Sequence, residues 1–456
     1  MLVRVPFWNT PLTADEGGYA EAARLWERGD ALYRDVWVDR PQGLVLVFRA
    51  VLHLDGGSPG VIRAVAAVVA ALVVVATMLV ARRLAGTIAA CACGLLMATV
   101  GASAFLESFT LAGELLSSLA AILSLLAFTA YVRSRALWWL VAAGLLTGCA
   151  LMIKQSAFDA GLAAVAYLAW TERRRAVRPV GVVVGSAAVP LLAGMLAAAG
   201  VGVHRWWFAV VGYRGSGDSL VTGSVTHRLD LLWQSLPGAA KGLGLLLLLA
   251  ALGWRGSSLV VRLWLGAAVL GVLGGGNFHE HYYLQLVPPL CVLAGVGVEK
   301  LWRRRLRLAT AVCAAALIAT IAFTVPLWFE SSTAQAKAIW PHDPHLVHDA
   351  AVARWVRGHT RPGAKVLVLW AAADVYYLAD RPPAIPYMWE RNLQSISGAL
   401  AGAQKALSTR RPALVAVEQP IAAVDRTGRT ASLLARNYRL AAVVDGVPIY
   451  ARRPAA

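Results

Sequence analysis

The sequence predicts a mainly α, polytopic transmembrane helical bundle followed by a small α/β extracytoplasmic C-terminal domain. Three observations carry that reading. The hydrophobic share is 58% and the mean hydropathy +0.61 over 456 residues, so most helices lack the polar face that water demands. Apolar runs long enough for a bilayer core, about 20 residues each, recur along the first two thirds of the chain. After residue 330 the pattern changes to short β-rich runs alternating with amphipathic segments.

Taken in order, the apolar runs give ten candidate spans: 60–82, 86–105, 111–132, 136–153, 156–170, 179–202, 238–253, 258–275, 282–298 and 307–329. Short basic clusters separate them, at Arg82 and Arg83, Arg133 and Arg135, Arg173 to Arg175 with Arg178, Arg255 and Arg262, and Lys300 with Arg303, Arg304, Arg305 and Arg307. These are alternate loops, so the positive-inside rule places them all in the cytoplasm. The first loop (9–59), residues 203–237, the short loops between them and everything beyond 330 then lie outside. The formal charge of +18 belongs to this topology signal; no aromatic-basic module accompanies it, which excludes nucleic acid as a partner. All five cysteines fall in apolar runs and pack as small hydrophobes, with no disulfide framework.

The division is therefore 1–330, membrane module, and 331–456, outer α/β domain. In the latter, AVARWVRGHT and NLQSISGALAGAQKAL read as helices, AKVLVLWAA and PALVAVEQP as strands, and the closing YRLAAVVDGVPIYARR as a hairpin turning at Asp445 and Gly446. No internal repeat is visible, inverted repeats of the transporter kind included.

The first outer loop is too long for a simple connector. In EGGYAEAARLWERG, Tyr19, Ala22, Ala23 and Trp26 recur at helical spacing and Gly29 stands where a helix would stop, which predicts a helix lying on the membrane surface. Asp15 and Glu16 precede it. Asp15 is either a general base toward a hydroxyl or the cap of that helix. Arg40 precedes a proline at the return to the membrane; its planar fork suits a lipid phosphate, and the bland alternative is an arginine snorkelling to any headgroup.

Glu114 opens a span, where an ionisable group is functional by default, whereas Glu107 reads as solvated. Lys154 is expected either to pair with Asp159 or to meet a phosphate. In HEHYY, His279, Glu280 and His281 lack the i, i+4 histidine pair of a zinc helix, so no metal is expected, and His281 with Tyr282 is placed near a substrate. Trp206, Trp207 and Phe208 read as interfacial anchors. Arg214 and Asp218 are marked only by their place in the same loop.

The acidic pair followed by tyrosine in DEGGY, the Gly-bounded helix, the Tyr-Arg-Asp-x-Trp segment ending in Arg40-Pro41, and the later GNFHEHYYLQLVPPL together resemble GT-C glycosyltransferases. The resemblance is to the dolichyl-phosphate-mannose protein mannosyltransferases, the lipid A aminoarabinose transferases and their bacterial paralogues. It implies Asp15 as catalytic base with Glu16 in support, and donor-phosphate or substrate contacts at Arg40, Glu114, Lys154, His281 and Tyr282. Where the family commonly has Lys-Pro-Pro, this chain has Arg40-Pro41-Gln42: the charge survives and the second proline does not. The implied activity is transfer of a sugar from a polyprenyl-phosphate donor to an acceptor hydroxyl, with inversion, on the outer face of a bacterial plasma membrane. No metal or other cofactor is required; the partners are membrane lipids, the lipid-linked donor and an acceptor the sequence does not name. The rival reading is a transporter or flippase of a lipid-linked or anionic substrate.

Relatives of this type carry a complete first span before the acidic pair, whereas only MLVRVPFW precedes Asn9 here. The expectation is a longer native protein with eleven spans and a cytoplasmic N-terminus, which mass spectrometry of its N-terminus would test.

Overall fold

The computed structural model describes residues 2–213, 224–244, 246–304, 311, 314–315, 318–319, 322–370 and 372–454. The tenth expected span, 307–329, falls in part outside the described residues, and Arg214 and Asp218 lie outside them altogether.

The first loop forms two helices. Helix α1 spans Ala14–Glu27 and α2 spans Gln42–Leu52. At the start of α1 the Thr13 hydroxyl accepts from the Glu16 amide at 3.2 Å and the Glu16 carboxylate accepts from the Thr13 amide at 3.2 Å, a reciprocal capping box. Thr13 is thus the cap, not Asp15, and the Asp15 carboxylate is released from that duty. The helix stops as the sequence indicates, with Gly29 at φ 101°. It does not lie on a free surface, however: Gly17 to Ala23 are all buried, because the C-terminal domain packs down on them. Asp374 sits directly over Gly17, and Trp389 and Ala373 over Gly18. A side chain at either glycine would hold the domain off, which gives the paired glycines of DEGGY a packing reason.

Helices α3 (Pro59–Leu84), α4 (Thr87–Thr99), α5 (Gly113–Ser134), α6 (Trp138–Ile153), α7 (Asp159–Glu172) and α8 (Val177–Ala197) follow. Small residues set their spacing. Gly144 meets Ser186, Gly148 meets Pro190 and Met152 meets Gly194; both members of each pair advance together, so α6 and α8 run parallel and α7 returns between them. The reversal uses Arg173, at φ 52°.

Among the described residues, four segments are long and apolar enough to cross a membrane: Pro59–Leu84, Gly113–Ser134, Asp159–Ala197 and Glu280–Arg303. The helices in the other expected spans are shorter. Helix α6 has 16 residues, about 24 Å at the α-helical rise, and α4 has 13 before the backbone tightens into 3-10 turns. The third segment contains both α7 and α8. Its apolar window is only 11% buried, and α8 points Val184, Val189, Leu192 and Leu196 outward, the surface a bilayer would cover.

The C-terminal domain carries a four-stranded sheet of β1 (Val366–Leu369), β2 (Leu414–Val417), β3 (Tyr438–Val444) and β4 (Val447–Arg452), in spatial order β1-β2-β4-β3. Strands β1 and β2 pair in parallel, Leu367 opposite Val415, which requires the crossover supplied by the helices Glu390–Ser395 and Ala399–Ser408. Antiparallel β3 and β4 turn through Asp445 (φ 48°) and Gly446 (φ 88°), the two positive-φ residues of a tight hairpin. The expected second helix divides where Gly398 takes φ 81°.

Candidate active site

One end of the bundle gathers the first loop, the starts of α5 and α7, the end of α6 and the C-terminal domain. The arginine clusters sit at the opposite helix ends. A cavity of about 320 Å3 opens at the first end, with Asp15, Arg40, His279, His281, Tyr282 and Arg391 in its wall.

Asp15 occupies the first turn of α1, where the helix dipole favours an acidic side chain. Among the described residues no hydrogen bond or ion pair engages its carboxylate. Burial pushes its pKa above the ordinary value; Arg40 and His281 pull it back, while the charges of Asp39 and Glu114 push it further up. Its neighbour does different work. Glu16 is buried and joins three elements: one oxygen accepts from Arg63 of α3 at 2.6 Å and from the Leu111 amide at 2.8 Å, and the other serves the capping box. Glu16 fixes the start of α1 to the bundle, which leaves Asp15 in the cavity.

Arg40 lies on the segment leading into α2. Its Nη1 meets the Asp39 carboxylate at 2.7 Å; its Nε and Nη2 donate to no described residue. The chain's departure from Lys-Pro-Pro has a local use. Gln42 accepts from the Tyr33 hydroxyl at 3.1 Å and the Trp206 indole at 2.7 Å, and donates to the Gly194 carbonyl, so it ties the Arg40 segment to the end of α8. Trp206 is accordingly buried, not an interfacial anchor, while Trp207 is exposed.

Of the remaining predicted residues, His281 and Tyr282 line the cavity and Glu114 and Lys154 lie behind them. Lys154 pairs with Glu114, not Asp159, and lies 3.9 Å from the centre of the Tyr282 ring. Asp159 accepts instead from Trp264 at 2.6 Å and Gln285 at 2.9 Å. His281 stands 3.2 Å from Glu107 and 3.6 Å from Glu114. Glu107, which the sequence suggests is solvated, is instead buried against His281. Lys154 and Glu114 support His281 and Tyr282 from behind the cavity wall.

The sequence reading missed Arg63, Trp389 and Arg391. An arginine inside the apolar run 60–82 was a visible signal, since a charge at that depth is costly unless it has a task. The other two carry no local mark. The Trp389 ring meets that of Tyr19 at 5.5 Å between centroids, tilted by 44°, and Arg391 brings Nη2 to 3.5 Å from His279 Nε2. Burial and the Arg391 charge hold His279 well below its ordinary pKa, so it is neutral beside that guanidinium.

The profile of the dolichyl-phosphate-mannose-protein mannosyltransferase family matches residues 39–197, a stretch that includes Arg40, Glu114 and Lys154. No curated protein matches the chain. Among solved structures, ArnT from Cupriavidus metallidurans bound to undecaprenyl phosphate superposes with a TM-score of 0.68, at 16% identity, over 100% of this chain and 96% of that one. The chain has the GT-C fold. The archaeal oligosaccharyltransferase AglB from Archaeoglobus fulgidus, in complex with an inhibitory peptide and a dolichol-phosphate, gives 0.58 at 13% identity, over 99% of this chain and 73% of that one. In this chain the acidic pair stands at the start of α1 and the α/β domain packs over that helix.

Proposed function

We propose that this GT-C chain is an inverting glycosyltransferase that moves a sugar from a polyprenyl-phosphate donor to an acceptor hydroxyl, on the extracytoplasmic face of a bacterial plasma membrane. The observation that carries the reading is the Asp15 carboxylate, unengaged among the described residues, in one cavity with the Arg40 guanidinium, whose Nε and Nη2 donate to no described residue. Solved relatives of the same fold hold undecaprenyl phosphate or a dolichol-phosphate, which supports a lipid-linked donor. Asp15 takes the acceptor's proton as its oxygen attacks the anomeric carbon. The bond from that carbon to the phosphate oxygen breaks, its electron pair leaves with the polyprenyl phosphate, and Arg40 receives the growing charge. Arg391 and His281 add positive charge and donors around the same space, and no metal is needed to stabilise this leaving group.

Purified protein incubated with a panel of radiolabelled polyprenyl-phosphate sugars is expected to release free polyprenyl phosphate from one of them when an acceptor is present. Failure with every donor, alongside measurable movement of intact lipid across vesicles, would favour the transporter reading. Arg40→Ala is expected to lower kcat/KM roughly 10²-fold, the scale of losing one preorganised charge donor, and Arg40→Lys to restore part of it. If both variants match the parent across donor concentrations, Arg40 only meets headgroups.

The pH profile carries a third expectation. The base works ionised, so activity present at neutral pH is lost as pH falls through the Asp15 pKa. Because burial raises that value, the acid limb of kcat/KM should lie above the ordinary aspartate range near 3.9, and Asp39→Asn should move it down. An acid limb at the ordinary value, unmoved by Asp39→Asn, would assign the limb to another group.

A further inference from the structure

The C-terminal domain holds a second cluster of chemically capable groups that the transfer mechanism leaves unused. His345 lies in a short turn after the last bundle segment, Asp349 opens the helix Asp349–Gly358, and Asp374 stands in the first turn of the helix Ala373–Ala379. One ligand atom from each lies within 4.8 Å of the others, and the His345 Nδ1 is 2.7 Å from an Asp349 oxygen. The side chain of Asp349 is 1% exposed and that of His345 9%. Asp374 is fully buried, and among the described residues no donor reaches either of its oxygens. The second Asp349 oxygen and both oxygens of Glu418 are also without a donor.

Buried carboxylates without donors are costly in a native interior. Three acids and Asp343 face one imidazole here. The place in the fold is equally telling. Asp374 follows the end of β1 and Glu418 the end of β2, and these are the two parallel strands; the crevice beyond the carboxyl ends of parallel strands is where α/β sheets take ligands.

We propose that His345, Asp349 and Asp374 bind a divalent cation, with Glu418 as the adjoining carboxylate. One imidazole with oxygen donors suits Zn2+ or Mn2+. The site is separate from the leaving-group chemistry and its task is positional. Asp374 packs on Gly17, two residues from Asp15, and His345 and Asp343 line the cavity that Asp15 lines. A cation here clamps the C-terminal domain onto α1, forming the roof of the cavity beside Asp15.

Full-length protein purified in detergent, stripped with EDTA, reloaded with Zn2+ or Mn2+ and desalted tests this by metal analysis and thermal melting, neither of which needs a donor sugar. The wild type is expected to retain one equivalent of one of these metals and to gain several degrees in Tm on loading. Asp374→Asn and His345→Ala should each lose both effects. Stripped Asp374→Asn should melt no lower than the stripped wild type, since it removes a buried like charge, and this separates loss of binding from failure to fold. The proposal is overturned if the wild type retains neither metal and its Tm ignores both, which would leave Asp349 and Asp374 as a pair sharing a proton. It is equally overturned if both variants keep the metal.

Discussion

Asp15→Asn should leave the protein folded and able to bind donor lipid while lowering kcat roughly 10²- to 10⁴-fold, the range that general base catalysis supplies. The expectation of intact folding comes from the geometry. The helix cap is the Thr13–Glu16 pair, and no described residue depends on the Asp15 carboxylate for a hydrogen bond, so the amide replaces the acid without unmaking a contact. The effect should fall on kcat with little change in donor KM, because the proton moves only as the hydroxyl attacks. Single-turnover release of polyprenyl phosphate, with donor binding measured separately, checks it. Turnover comparable to the wild type would remove Asp15 from the mechanism.

Glu16→Gln should fail in a different way. From the sequence alone, with Glu16 as a supporting neighbour, the change is expected to be milder than the loss of Asp15. The structure moves the effect from activity to stability. Glu16 and Arg63 are 1% and 2% exposed and meet at 2.6 Å, and Arg63 also donates to the Pro11 carbonyl at 2.7 Å. Neutralising the acid leaves a guanidinium buried with no opposite charge in contact, and breaking a buried pair in this way costs about 3–5 kcal/mol. A large fall in Tm is expected, with the folded fraction still able to transfer sugar. The double variant Glu16→Gln with Arg63→Met should regain much of the lost stability, because it removes the stranded charge as well. A Tm unchanged in the single variant would show that Arg63 finds another partner.

These two residues mark the boundary between what a sequence states and what a fold decides. Neighbours in the chain, both acidic, both on the first turn of one helix, they differ in surroundings because one side of that turn faces the cavity and the other faces α3. A helix advances about 100° per residue, so adjacent carboxylates must point apart, but which of them meets Arg63 depends on where α3 lies. The same holds for Lys154. The sequence offers Asp159 as its partner; the packing of α6 against α5 brings Glu114 there first, and Asp159 turns to Trp264 and Gln285.

The sequence by itself determined the membrane character, the positions of several apolar helices, the strands and closing hairpin of the C-terminal domain and the stop of α1 at Gly29. Those features rest on local or periodic properties: apolar run length against bilayer thickness, period-two and period-3.6 patterning, and turn residues that tolerate positive φ. Tertiary structure alone decided that the first helix is buried under the C-terminal domain, that Arg391 and Trp389 reach the cavity from more than 350 positions away in the chain, and that His345, Asp349, Asp374 and Glu418 converge. Such meetings are set by how glycines such as Gly17 and Gly18 let distant surfaces approach, a property of two segments at once that neither segment records alone.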